Sequence, residues 1–110
     1  MSMVIVDQSV LEDMVHRLVE AIDPDRIILF GSRARGDMQS DSDVDLLVIK
    51  PSLDPPHRRV IAAYRALAGL CVPKDILWRT PEEVEDWKGV NNYVTTRALR
   101  EGKVLYEKSS

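Results

Sequence analysis

Residues 26 to 49 constrain this chain most tightly. An apolar run, Arg26-Ile-Ile-Leu-Phe30, stops at Gly31-Ser32, and Asp43-Val44-Asp45 then opens a second apolar run that ends at Ile49. The first run reads as a buried strand broken at Gly31, and Ser32 to Arg35 as the start of a short helix whose free N–H groups favour an anion. Asp43 and Asp45 are two residues apart. On a strand from Val44 to Ile49 their carboxylates project from one face while Val44, Leu46 and Val48 fill the other. Anion-binding backbone beside paired carboxylates suits a triphosphate with Mg²⁺.

Rival readings of the same residues fail on particular positions. Gly31 and Gly36 have P-loop spacing, but Asp37 and Met38 follow where a Walker site needs Lys and Ser or Thr. Asp41, Asp43 and Asp45 alternate like the first ligands of an EF-hand, yet Leu46 stands at the sixth position and Ser52 at the twelfth. An ordinary acidic turn would also use Asp and Ser. Against it, two aspartates on one face of a buried strand cost several kcal/mol if unpaired.

The block resembles the minimal nucleotidyltransferases of the DNA polymerase β superfamily. In that family a Gly-Ser turn is followed after about ten residues by Asp-x-Asp, with a third carboxylate on a later strand. The matching residues here are Gly31-Ser32, Asp43-Val44-Asp45 and Asp75 in Val72-Pro-Lys-Asp-Ile-Leu-Trp78, and the resemblance runs from about Arg26 to Tyr106. It implies an α/β (α+β) fold with a small mixed sheet flanked by helices, like the polymerase β palm. It also implies Mg²⁺ as cofactor and ATP as substrate. Asp43, Asp45 and Asp75 would be the catalytic and metal-binding residues, and Gly31, Ser32 and Arg35 the nucleotide-binding ones. Small members of the family resemble antitoxins paired with a HEPN-domain toxin and able to attach AMP to a tyrosine of it. The partner expected is therefore such a toxin. Two alternatives stay open: an idle antitoxin that neutralises its toxin by binding alone, and a transferase acting on a small-molecule hydroxyl.

With 110 residues, 45% of them hydrophobic and 30% charged, the chain is expected to form one domain, residues 1–110, without a second substrate-binding domain. A net charge of −3 disfavours a long nucleic acid as main ligand. No run approaches the roughly 18 apolar residues of a membrane span, and the N-terminus lacks a basic signal-peptide region, so a cytoplasmic location is expected. Cys71 is the only cysteine and reads as a buried small hydrophobe.

The remaining chain alternates helical and strand patterns. Ser9 and Glu12 have capping-box spacing, and Val10, Met14, Leu18 and Ile22 recur every four residues, predicting a helix from Ser9 to Ile22 that Asp23-Pro24-Asp25 ends. Pro51 to Pro56 read as a loop. His57 to Leu70 read as a helix with Val60, Ile61, Tyr64, Leu67 and Ala68 on one face, and its opening His57-Arg58-Arg59 as a solvated run. A strand from Asp75 to Trp78 is followed by Thr80-Pro81-Glu82-Glu83, an N-cap, a proline at N1 and a capping-box glutamate. Asn92 to Glu101 form the last predicted helix, with Gly102 after it and Lys103 to Tyr106 as an edge strand. His16 and His57 have no His or Cys at ligand spacing and read as surface or capping groups. Trp78 and Trp87 read as core or interface residues.

Overall fold

A computed structural model describes residues 8–31, 43–87 and 94–108, the side chains of Trp87 and of residues 94–97 excepted. Helix α1 (Gln8–Ile22) leads into β1 (Arg26–Phe30) and β2 (Val44–Ile49). Helix α2 (Pro56–Ala66) crosses to β3 (Lys74–Arg79). Helices α3 (Pro81–Trp87) and α4 (Val94–Glu101) then lead to β4 (Lys103–Glu107). The four strands form one sheet in the order β3-β2-β1-β4. β1 pairs antiparallel with β2 and β4, and β2 pairs parallel with β3. The sheet is mixed because the β1–β2 link returns directly, whereas β2 reaches β3 through a helix, which a parallel neighbour requires.

Alternation along the strands divides the core into two layers. Ile27, Leu29, Val44, Leu46, Val48, Ile76 and Trp78 pack against Leu11, Met14 and Leu18 of α1 and Ala63 of α2. On the opposite face Ile28, Leu47 and Ile49 meet Val84 of α3 and Ala98 of α4, with Phe30 and Leu77 beside them. Burial of each large aliphatic side chain contributes about 1.5–3 kcal/mol, so the two faces together drive assembly. Trp78 also donates its indole N–H to the Lys50 carbonyl at 3.0 Å, which satisfies its one polar atom. β4 slips register between Ile27 and Ile28, with Tyr106 opposite Ile27 and Val104 opposite Ile28. The bulge lets the consecutive residues Leu105 and Tyr106 both pack toward the α1 layer.

Local signals account for most boundaries. Asp23, at φ 47°, turns the chain after α1, and its N–H still bonds the Val19 carbonyl at 3.0 Å. The capping box at Thr80 forms as the sequence predicts: the Thr80 N–H donates to Glu83 Oε1 at 2.8 Å and the Glu83 N–H to Thr80 Oγ1 at 3.2 Å. After α4 the Gly102 N–H closes on the Ala98 carbonyl at 2.8 Å. A side chain at Gly102 would collide with that carbonyl and with Ile28, so only glycine lets β4 start this close to α4.

Three readings of the sequence need correction. The helix placed at His57–Leu70 starts at Pro56 and ends at Ala66, because Leu67, Ala68 and Leu70 donate N–H bonds to carbonyls three residues back and Gly69, at φ +91°, turns the chain. Its buried side chains are Arg59 and Ala63, continued by Leu67, whereas Ile61 is 47% exposed and Tyr64 and Ala68 are also exposed. Arg59 is thus not solvated. It is 4% exposed and donates through Nη2 to both Glu83 oxygens at 2.8 Å, linking α2 to the cap of α3. Cys71 is exposed, whereas Val72 beside it in the connection to β3 takes the core position. The predicted helix start at Ser32–Arg35, and Asn92 and Tyr93 at the start of the last predicted helix, lie outside the described residues.

Candidate functional site

The sequence block of Gly31, Asp43 and Asp45 meets Asp75 at one end of the sheet. Asp45 is the second residue of β2, and its Cα is opposite Phe30 of β1 on one side and Asp75 of β3 on the other. Adjacent strands lie about 4.8 Å apart, so the two aspartates are immediate lateral neighbours. Both sit on the α3/α4 face, since the residues flanking them, Val44, Leu46 and Ile76, belong to the opposite layer. Asp43 precedes β2 by one residue. Asp43 and Asp75 are exposed and Asp45 is half-buried. On the same face Val84 and Ala98 pack with Ile28, Leu47 and Ile49.

Gly31 follows Phe30 directly and has φ +78°, a backbone that favours glycine. A Cβ there would collide with Oδ2 of Asp45 and stand 3.2 Å from its Cγ. The space beside Gly31 is taken by a carboxylate, so the turn and the Asp-x-Asp strand are built against each other. Ser32 and Arg35, the other two predicted nucleotide-binding residues, lie outside the described residues.

Donor chemistry at this corner suits a hard divalent cation. Among the described residues no group of three His, Cys, Asp or Glu side chains stands close enough to hold a metal ion unaided. A small octahedral cation does not require such a cage, because Mg²⁺ is held by one or two carboxylates together with substrate phosphates and water. Asp45 with its lateral neighbour Asp75 meets that requirement in ligand type, and Gly31 adds no side chain of its own beside the Asp45 carboxylate.

Tyr64 and Glu83 hold the two ends of β3, and beyond the cap at Thr80 the sequence reading assigns neither of them a polar partner. Tyr64 of α2 accepts the Ile76 N–H through its hydroxyl at 3.0 Å, pinning the outer edge of β3 next to Asp75. Glu83 is held below the ordinary glutamate range: burial raises its pKa, but the Arg59 hydrogen bonds, the Thr80 N–H and the charges of Arg59 and Arg79 outweigh it. Periodicity carried a signal for Arg59, which falls four residues before Ala63 and eight before Leu67 on the buried stripe. No comparable signal marks Tyr64, whose partner is a strand edge distant in sequence.

Comparison with known proteins agrees with this geometry. The structure superposes on that of a toxin-antitoxin solved with AMP-PNP, with a TM-score of 0.64 and 20% identity over 89% of this chain and 73% of that one. It is similar to a mutant of the toxin-antitoxin MntA-HpeT at a TM-score of 0.62 and 17% identity, over the same shares of the two chains. A protein of Sulfolobus solfataricus described as a nucleotidyltransferase matches at a TM-score of 0.55 and 21% identity, over 94% of this chain and 91% of that one. These likenesses are of fold. No curated protein matches the sequence. The family model described as polymerase beta, nucleotidyltransferase matches residues 12–110, nearly the whole chain, and with the strand-turn-strand geometry around Asp45 it establishes that this protein belongs to the polymerase beta nucleotidyltransferase family.

Proposed function

We propose that the chain is a Mg²⁺-dependent adenylyltransferase that moves AMP from ATP to a hydroxyl of a partner protein, and that it serves as the antitoxin of a toxin-antitoxin pair. The observation that carries this reading is the placement of Asp45 between Gly31 and Asp75. It is supported by the fold shared with a toxin-antitoxin solved with AMP-PNP, an analogue of ATP. The resemblance of the motif block to the minimal nucleotidyltransferases supports a HEPN-domain toxin as the partner and one of its tyrosines as the acceptor. The 110 residues act as one domain in the cytoplasm on this reading; among the described residues no helix is long and apolar enough to cross a membrane.

Asp43 and Asp45 would hold one cation against the triphosphate, and Asp75 would complete a second metal site together with the substrate. A divalent cation bound there would offset the charge of the triphosphate and lower the pKa of an attacking hydroxyl. The N–H groups of Gly31 and Ser32, the Ser32 hydroxyl and Arg35 would cradle the β and γ phosphates. Asp75 would favour loss of the acceptor's hydroxyl proton. The acceptor oxygen bonds to the α phosphorus, the bond to the bridging oxygen breaks, and pyrophosphate leaves.

Mass spectrometry of the partner after incubation with Mg-ATP tests the reaction. One or more added AMP groups are expected with wild type and none with Asp43→Asn. A partner of unchanged mass whose activity is nevertheless blocked would establish occlusion in place of transfer. Absence of both binding and modification would move the acceptor to a small molecule.

A further inference from the structure

The helical layer opposite the carboxylates carries a charge pattern that AMP transfer does not use. Helix α2 contains no acidic residue, in a chain of net charge −3. Arg58, Ile61, Ala62 and Arg65 fall at i, i+3, i+4 and i+7, so they line one stripe of it, and all four are exposed. The remaining arginine, Arg59, points inward and is neutralised by Glu83. Between this stripe and the end of α1, at Ala21 and Ile22, runs a groove of 580 Å³. None of its lining residues is acidic, and no carboxylate of the described residues pairs with Arg58 or Arg65.

The two free guanidinium groups stand about 10 Å apart along the helix, two turns, with an apolar anchor between them. A polyanion such as RNA is bound by a continuous basic surface, commonly on a basic protein, and this acidic chain offers two cations separated by Ile61 and Ala62. The spacing instead fits an amphipathic helix that presents an apolar residue flanked by acidic ones. Ala21 and Ala62 leave room for close approach.

We propose that the α1–α2 groove docks such an acidic amphipathic helix of the partner protein. The assignment rests on the toxin-antitoxin reading above and adds to it the surface and the chemistry of the partner. Because α1 and α2 cover the face opposite Asp45 and Asp75, docking and transfer use separate surfaces. A partner held here reaches the carboxylates with a different segment, around the end of the sheet.

The probe is the purified product of the neighbouring reading frame, titrated by calorimetry at low and high salt. Arg58→Glu with Arg65→Glu, and separately Ile61→Asp, are expected to weaken the complex about tenfold or more. The charge reversal should also remove most of the salt dependence, while Mg-ATP affinity and Tm stay at wild-type values because these side chains are exposed and distant from the carboxylates. Wild-type affinity in both variants, or no binding by wild type, overturns the proposal. So does self-association of wild type that Ile61→Asp abolishes, or binding of labelled single-stranded RNA that the charge reversal abolishes while the partner still binds. Charge-dependent docking without AMP transfer leaves the groove assigned and refutes the reaction. Transfer undiminished in both variants at limiting partner concentration does the reverse.

Discussion

Gly31→Ala measures how closely the turn and the carboxylate strand depend on each other. At φ +78° an alanine is strained by about 1–2 kcal/mol. Its Cβ also meets Oδ2 of Asp45, with Cγ at 3.2 Å, and clearing that overlap drives a half-buried aspartate off its rotamer at a cost of about 1 kcal/mol. A smaller unfolded-state entropy returns about 0.4–1 kcal/mol. The net loss is about 2 kcal/mol, or a Tm lower by about 10 °C for a domain of this size. In an Asp45→Ala background the colliding atoms are gone and only Cβ remains, at an ordinary 3.5 Å. There Gly31→Ala should cost about 1 kcal/mol less. Urea unfolding of the four proteins without metal gives this coupling directly. If the two substitutions add to within about 0.3 kcal/mol, the contact is not holding Asp45 and the argument for a jointly built site fails.

Asp75→Asn should leave Mg-ATP affinity within a few fold and slow transfer by about two orders of magnitude or more, as read by single-turnover assays with the partner; normal transfer would reduce Asp75 to a strand residue. Arg59→Ala leaves the Glu83 carboxylate without its bidentate partner and should lower stability by about 2 kcal/mol, discounted from a fully buried pair because the Glu83 side chain is 33% exposed. The pair also predicts a pH dependence. Since the folded-state pKa of Glu83 is lowered, its contribution is full above the ordinary value of 4.5 and is lost as pH falls through the lower folded value. The Tm difference between wild type and Arg59→Ala should therefore be constant from about pH 6 to 8 and shrink in acid; a gap that widens in acid would contradict the pairing.

Elements defined by short-range chemistry are legible in the residues in order. The stripe Met14, Leu18 and Ile22, the box Thr80–Glu83, the run Val44–Ile49 and the break at Gly31 each depend on spacing within a few residues, and each appears in the structure where that spacing puts it. Helix α2 departs from its expected face because it carries competing stripes. Ile61 and Tyr64 form an apolar periodicity as good as that of Arg59, Ala63 and Leu67, and only the sheet beneath decides which stripe turns inward. Hydropathy misleads here, because an arginine is buried once Glu83, 24 residues away, supplies a bidentate partner.

Sequence by itself determined the chemistry at the corner of the sheet: a glycine turn, two carboxylates on one strand face and a third on a later strand. Tertiary structure alone decided their distances. Asp45 stands beside Asp75 because β2 and β3 pair in parallel with those two residues in register, and it lies beneath Gly31 because β1 returns antiparallel on its other side. Strand pairing is non-local and shifts by whole residues, so a slip of one would send Asp75 to the opposite face without changing any local pattern.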